Sequence, residues 1–225
     1  MLPHLIREIE NLKKKILYLS CLVEESVFKA VKSLEKRDAV LAQQVIEADT
    51  QIDKMEICIE EDCLKMLALY QPVAVDLRFI VVVLKINNDL ERVGDLAVNI
   101  AKRAVFIAKQ KKGTPPFDFP SMSGRVQMML RKSLEALVNM DDKLAGKIYA
   151  EDDEVDTMNR EAYQQVKQRL LGPDHDDPDF LLQNLSVSRY LERIADLATN
   201  IAEDVIYMVT GNIVRHRSDD YILSQ

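Results

Sequence analysis

The sequence predicts an all-α protein made of two tandemly duplicated three-helix bundles. Three observations predict it. Apolar residues recur at three- and four-residue intervals over long windows, with no sustained alternation of period two. Tryptophan is absent and glycine is scarce, at 6 of 225 residues, while leucine, alanine, lysine and glutamate, all good helix formers, are abundant. A block beginning at Leu90, "LERVGDLAVNIA", also returns at Leu191 as "LERIADLATNIA".

The first helix is read from the stripe Ile9, Leu12, Ile16, Leu19, Val23, Val27, Val31 and Leu34, one apolar face within Ile6 to Leu34. The chain breaks near Lys36 to Asp38. Asp38 can accept from the free N–H groups of the next first turn, so a second helix runs from Asp38 to Tyr70, continuous or bent near Asp49. Pro72 ends it, and a third helix extends to about Lys109. "KQKKGTPPFDFPSMS" combines glycine, paired prolines and serines and reads as a linker. A fourth helix follows from Ser121 to near Asp141, and a fifth begins at "DDKLAGKIYAEDDEV". "GPDHDDPDF" interrupts the chain before a last helix from about Phe180 to Met208. The expected units are residues 1–112 and 121–211, with a tail over 212–225.

Duplication justifies pairing these helices. Asp38, Leu41, Ala42, Val45, Asp49, Ile52 and Asp53 match Asp141, Leu144, Ala145, Ile148, Asp152, Val155 and Asp156, all at a spacing of 103. Across the repeated block, Leu90, Glu91, Arg92, Asp95, Leu96, Ala97, Asn99, Ile100 and Ala101 match their counterparts at a spacing of 101. A shortened turn accounts for the shift of two. Each unit then needs only apolar stripes and short loops to pack up-down-up.

Charge and cysteine usage narrow the function classes. Thirty basic against 37 acidic residues leave a net charge of −7, which disfavours nucleic acid and anionic membranes as partners. Cys21, Cys58 and Cys63 are odd in number and lack CxxC spacing, as expected of thiols in a reducing compartment. No apolar run approaches the ~20 residues of a membrane span, and the first residues lack the pattern of a secretory leader. The expectation is a cytoplasmic protein without direct membrane insertion.

The repeated block carries the candidate chemistry. Successive helical residues turn about 100°, so Glu91, Asp95 and Asn99 lie on one face, as do Glu192, Asp196 and Asn200, extended by Glu203 or Asp204. Leu90, Val93, Ala97, Ile100 and Ala104 supply the core on the other side. Small residues at Gly94 and Ala97, and at Ala195 and Ala198, admit a neighbouring helix. Carboxylates one turn apart repel. Arg92, Arg193 and Lys85 are placed to offset this, and a bound hard cation would do so more fully, iron, manganese or magnesium suiting oxygen ligands. A Glu-x-x-x-Asp pair is also common on a solvated helix face; its recurrence at matched positions is what favours metal. Asp49, Asp53, Asp152 and Asp156 extend the acidic surface from the preceding helix of each unit, as further ligands or as ordinary solvated acids.

These motifs, with "QPVAVDLRFIVVVLKINNDLERVGD" upstream of the first, resemble the PhoU family over nearly the whole chain, from about Ile6 to Gly211. The resemblance implies a PhoU-like pair of three-helix bundles and a cytoplasmic homodimer. It implies metal clusters at Glu91, Asp95, Glu192 and Asp196, iron first, with zinc, manganese or magnesium as alternatives. Asp89, Arg92, Asn99, Arg193, Asn200 and Asp204 are second choices in the same segments. The implied function is negative regulation of the phosphate regulon, linking the phosphate transporter's ATPase subunit to the phosphate-sensing histidine kinase. Two departures stand out: "ERVGD" becomes "ERIAD", and Arg78 has no basic counterpart in "DDPDFLL".

Catalytic signals are sparse. His4, His175 and His216 are scattered, Lys109, Lys111 and Lys112 form a short basic run, and "KQKKGTPP" lacks the order of a phosphate-binding loop. The expectation is not an enzyme. The alternatives are a metal-dependent phosphohydrolase, since bound metals activate water, or a metal-free helical adaptor docking on basic surfaces. Diiron oxygenase and ferritin-like storage sites use Glu-x-x-His pairs, absent from this chain.

Overall fold

The computed structural model describes residues 3–110, 113–172 and 177–214. His175, His216, Lys111 and Lys112 lie outside the described residues. The described residues form seven helices: α1 (Pro3–Lys36), α2 (Ala39–Tyr70), α3 (Ala74–Lys109), α4 (Phe119–Asn139), α5 (Asp142–Gly146), α6 (Tyr149–Leu171) and α7 (Pro178–Thr210). The all-α, twice-three-helix architecture is as expected, with α1, α2 and α3 packed as one bundle and α4, α6 and α7 as the other.

Local chemistry sets the helix boundaries. Asp38 caps α2, its Oδ1 accepting from Val40 N at 3.0 Å and Leu41 N at 2.9 Å. Asp141 does the same for α5, accepting from Lys143 N and Leu144 N at 3.0 and 2.9 Å. The duplication therefore extends to the caps. Helix α2 runs unbroken through Asp49. The fourth helix starts at Phe119 rather than Ser121, because Asp118 caps it and Pro120 fits its first turn. It ends at Asn139, where Met140 adopts a left-handed conformation, φ 53. The last helix is longer than expected at both ends, with Asp177 capping it and Pro178 opening it.

One expectation fails. The fifth predicted helix is broken into α5 and α6, where Lys147 N and Ile148 N donate to the carbonyls of Leu144 and Ala145. Those tighter three-residue bonds interrupt the four-residue ladder.

Helices α3 and α7 are the central pair, packed on each other and on their own bundles. Leu12, Leu19, Ile59, Ile80, Ile86, Leu90 and Ile100 are fully buried in the first half, as are Met122, Met129, Leu130, Ile148 and Leu181 in the second. One apolar core joins them. Each such side chain stabilises the fold by about 1.5–3 kcal/mol, enough to hold the polar faces of α3 and α7 in fixed register.

Arg37 fastens the connection between the halves, donating from Nη1 to the Gln110 carbonyl and from Nη2 to that of Gly113, at 3.4 and 3.2 Å. At the far end Arg78 Nε donates to the Met208 carbonyl at 3.0 Å, beside Gly211, which closes α7 at φ 79. That contact accounts for an arginine in one copy only: it ties α3 of the first half to the last turn of α7.

Candidate metal centre

Leu90, Val93, Ala97 and Ile100 are wholly buried, which turns Glu91 and Asp95 of α3 outward toward α2. Gly94 makes the approach close. A Cβ added there would meet Ile52 Cδ1 at 3.2 Å and Asp49 Oδ1 at 3.7 Å. The small residue brings α2 near enough for its Asp49 to join the α3 acids.

Neighbouring carboxylates raise one another on an acidic face in each half. Burial holds the Glu91 carboxyl above its ordinary range, with Asp95, Glu56, Asp53 and Asp49 pushing the same way. Asp49 is raised by burial and then by Asp53 and Asp95. In the second half, Asp156, Glu192 and Asp196 bring carboxylate oxygens within 4.8 Å of one another. Beside them Asp152 is pushed up to about 6, by burial first and then by Asp196 and Asp156. Its Oδ1 is buried and has no hydrogen-bond partner among the described residues. Glu192 and Asp196 are also raised by burial and by neighbouring acids, with Arg193 partly opposing.

Such faces hold protons or hard cations. The donor set is all oxygen, from adjacent turns of two helices, and the orphaned Asp152 oxygen fits a cation better than a hydrogen-bonded resting state. Among the described residues only Asp156, Glu192 and Asp196 bring three carboxylate oxygens within 4.8 Å of one another, with Asp152 beside them, whereas Asp49, Asp53, Glu91 and Asp95 share one acidic face without forming such a group.

Other candidates lie elsewhere. Asp89 is buried and pairs loosely with Arg92, at 3.8 Å. Asp204, expected to continue the second acidic line, is 2% exposed and pairs with Lys85 between α3 and α7. Lys85 is therefore committed to that seam, not to offsetting the first acidic face. Arg92, Asn99, Arg193 and Asn200 line a cleft of about 440 Å³ between α3 and α7, with Asp95, Asp196, Leu96 and Leu197. The lining consists of four residues of α3 and their four repeat counterparts in α7.

One acid escaped the sequence reading. Glu56 of α2 lies against the first face, and its carboxyl is raised by burial, Glu60 and Asp53. Its counterpart is Asn159, whose Oδ1 accepts from Ser188 Oγ at 3.0 Å, so a search for matched acids passes over it. The signal was its position three residues after Asp53, on the same helical face.

Comparison with known proteins agrees with this architecture. The PhoU domain family model matches the chain twice, over residues 16–104 and 119–205. The chain is 39% identical over 216 residues to the phosphate-specific transport system accessory protein PhoU homologue of Aquifex aeolicus, covering 95% of this chain and 96% of the relative. The crystal structure of PhoU from Pseudomonas aeruginosa superposes with a TM-score of 0.86 at 37% identity, covering 92% of this chain and 99% of that one. The phosphate transport system regulatory protein PhoU from Streptococcus pneumoniae gives a TM-score of 0.82 at 29% identity, covering 93% and 99%. The chain belongs to the PhoU family.

Proposed function

We propose that this protein is a non-catalytic regulator of phosphate uptake that works in the cytoplasm, as a homodimer, through protein interaction. Its relatives are named accessory and regulatory proteins of phosphate transport, and that naming supports the reading. In the finer form it is a negative regulator of the phosphate regulon, linking the transporter's ATPase subunit to the phosphate-sensing histidine kinase. Its working units are residues 1–112 and 121–211, with 212–225 as a tail. Among the described residues no helix is long and apolar enough to cross a membrane, so contact with a transporter falls to its surfaces.

Within that role the two acidic faces hold metal. Glu91 and Asp95, with Asp49 and Asp53, serve the first, and Glu192 and Asp196, with Asp152 and Asp156, serve the second. The observation that carries this is the convergence of Asp156, Glu192 and Asp196 oxygens within 4.8 Å from two helices of the second half, beside an Asp152 oxygen that is buried without a hydrogen-bond partner among the described residues; the first face enters by its matched acids. A bound cluster, iron foremost and zinc, manganese or magnesium otherwise, would supply positive charge that relieves repulsion. The carboxylates for their part bridge α2 to α3 and α6 to α7.

Elemental analysis of untagged, anaerobically prepared protein tests the metal. Near-stoichiometric metal is expected, and it vanishes in a folded Glu91→Ala, Asp95→Ala, Glu192→Ala, Asp196→Ala variant. Metal-free wild type that refuses metal offered back leaves the helical adaptor instead. Deletion of the gene tests regulation: a phosphate-starvation reporter should fire in phosphate-rich medium. An unchanged reporter overturns the regulatory reading whatever the metal content.

A further inference from the structure

The cleft between α3 and α7 adjoins the two acidic faces and shares Asp95 and Asp196 with them. Arg92 and Arg193 line it at equivalent positions, with Asn99 and Asn200 beside them. Neither guanidinium is held in a short ion pair among the described residues, although Arg193 acts on the Glu192 and Asp196 carboxyls. The Arg92 side chain is 59% exposed and its ion pair with Asp89 is long, at 3.8 Å. Arg193 is exposed and has no ion pair among the described residues.

Two guanidiniums and two amides that line one cleft can donate to an oxyanion, while Asp95 and Asp196 in the same lining oppose it. In the metal-free chain Asp95 and Asp196 balance the two arginines, and the net charge of −7 adds to the opposition. A cation held by the acidic faces removes that balance. The arginines then dominate the cleft, because a bound cation reverses the local sign of charge.

We infer that this cleft binds a phosphate-type oxyanion, gripped by Arg92 and Arg193, and does so only when the flanking faces hold cations. The inference rests on the metal reading above. One anion on the repeat boundary contacts both halves at once, so its arrival bears on how α3 and α7 sit against each other.

The test uses the full chain loaded with Mn²⁺ and desalted, with radiolabelled inorganic phosphate in equilibrium dialysis and manganese measured in the same samples. The loaded protein should bind about one phosphate per chain, and the metal-free protein none. An Arg92→Gln, Arg193→Gln variant with native helix content should bind at least about tenfold more weakly per bound manganese. Removing two positive charges does not weaken the hold of the carboxylates on a cation. Equal binding by that variant would overturn the inference, since the anion would then ride on metal alone. So would a manganese-containing wild type that takes up no phosphate. If no manganese is taken up, the metal reading has failed and this inference falls with it, a failure that the manganese content distinguishes. Displacement of the label by phenyl phosphate would assign the cleft to a phosphate ester, and failure to displace it to the free anion; either outcome supports the cleft as the site.

Discussion

Lys85 of α3 reaches across to Asp204 of α7 and forms an ion pair in the seam between the halves, with Asp204 2% exposed and Lys85 36% exposed at the side chain. The repeat does not reproduce this pair. Its mirror positions are Ser186 and Arg103, and Arg103 instead donates to Gln183 Oε1 at 2.8 Å. The two bundles are thus joined by different polar contacts on the two sides of the boundary.

The difference in burial makes the pair asymmetric to mutation. Lys85→Ala leaves a buried carboxylate without its lysine and should cost about 3 kcal/mol, the low end for a broken buried pair. Asp204→Ala leaves Lys85 able to turn toward water and should cost less. Urea unfolding of the two variants checks the order, and equal costs would mean that Asp204 does not depend on Lys85.

Asp38 and Asp141 cap equivalent helices with the same pair of hydrogen bonds. Asp38→Ala and Asp141→Ala should each cost about 1 kcal/mol. Their effects should add, because the caps lie in different bundles. Denaturation of both single variants and the double variant tests this.

The duplicated plan was legible because helical periodicity, prolines and capping aspartates are all local signals. So were Glu91, Asp95, Glu192 and Asp196, since helix geometry alone puts them on one face. What could not be read were relations between elements. Asp204 looks like another acid on the line, yet a lysine 119 residues earlier claims it. Glu56 was hidden by a repeat that carries asparagine in its place. The break between α5 and α6 escaped because nothing in "DDKLAGKIYAEDDEV" marks an end: no proline stands there, and one glycine is a weak stop.

Gly94 and Ile52 form a matched pair with Ala195 and Val155, so one methyl group has moved from one helix to the other between the repeats. Gly94→Ala puts a Cβ 3.2 Å from Ile52. The gain of about 1 kcal/mol in helix propensity is then offset by crowding of similar size. Adding Ile52→Val removes the crowding, so the double variant should be more stable than Ile52→Val alone by about 1 kcal/mol. Thermal unfolding decides it; a double variant no better than Ile52→Val would mean that the α2–α3 spacing is not set by this contact.

The acidic faces should make the metal-free protein less stable as pH rises. Asp152 has an ordinary value of 3.8 and sits at about 6 in the fold. Between those values the folded chain binds more protons than the unfolded chain. The stability this group contributes is therefore complete below about 3.8 and is lost as pH climbs through about 6. The difference amounts to at most about 2–3 kcal/mol. Asp49, Glu56, Glu91, Glu192 and Asp196 are raised as well and act in the same direction. Urea midpoints of the chelator-treated protein should fall between pH 5 and pH 7.5, and Asp152→Asn should flatten the fall. A cation that binds these faces favours the ionised form, so adding it at pH 7.5 should raise the midpoint more than adding it at pH 5. Midpoints that stay level across this range would mean that the carboxylates are not crowded in solution, and the physical case for a cation between them would go with that.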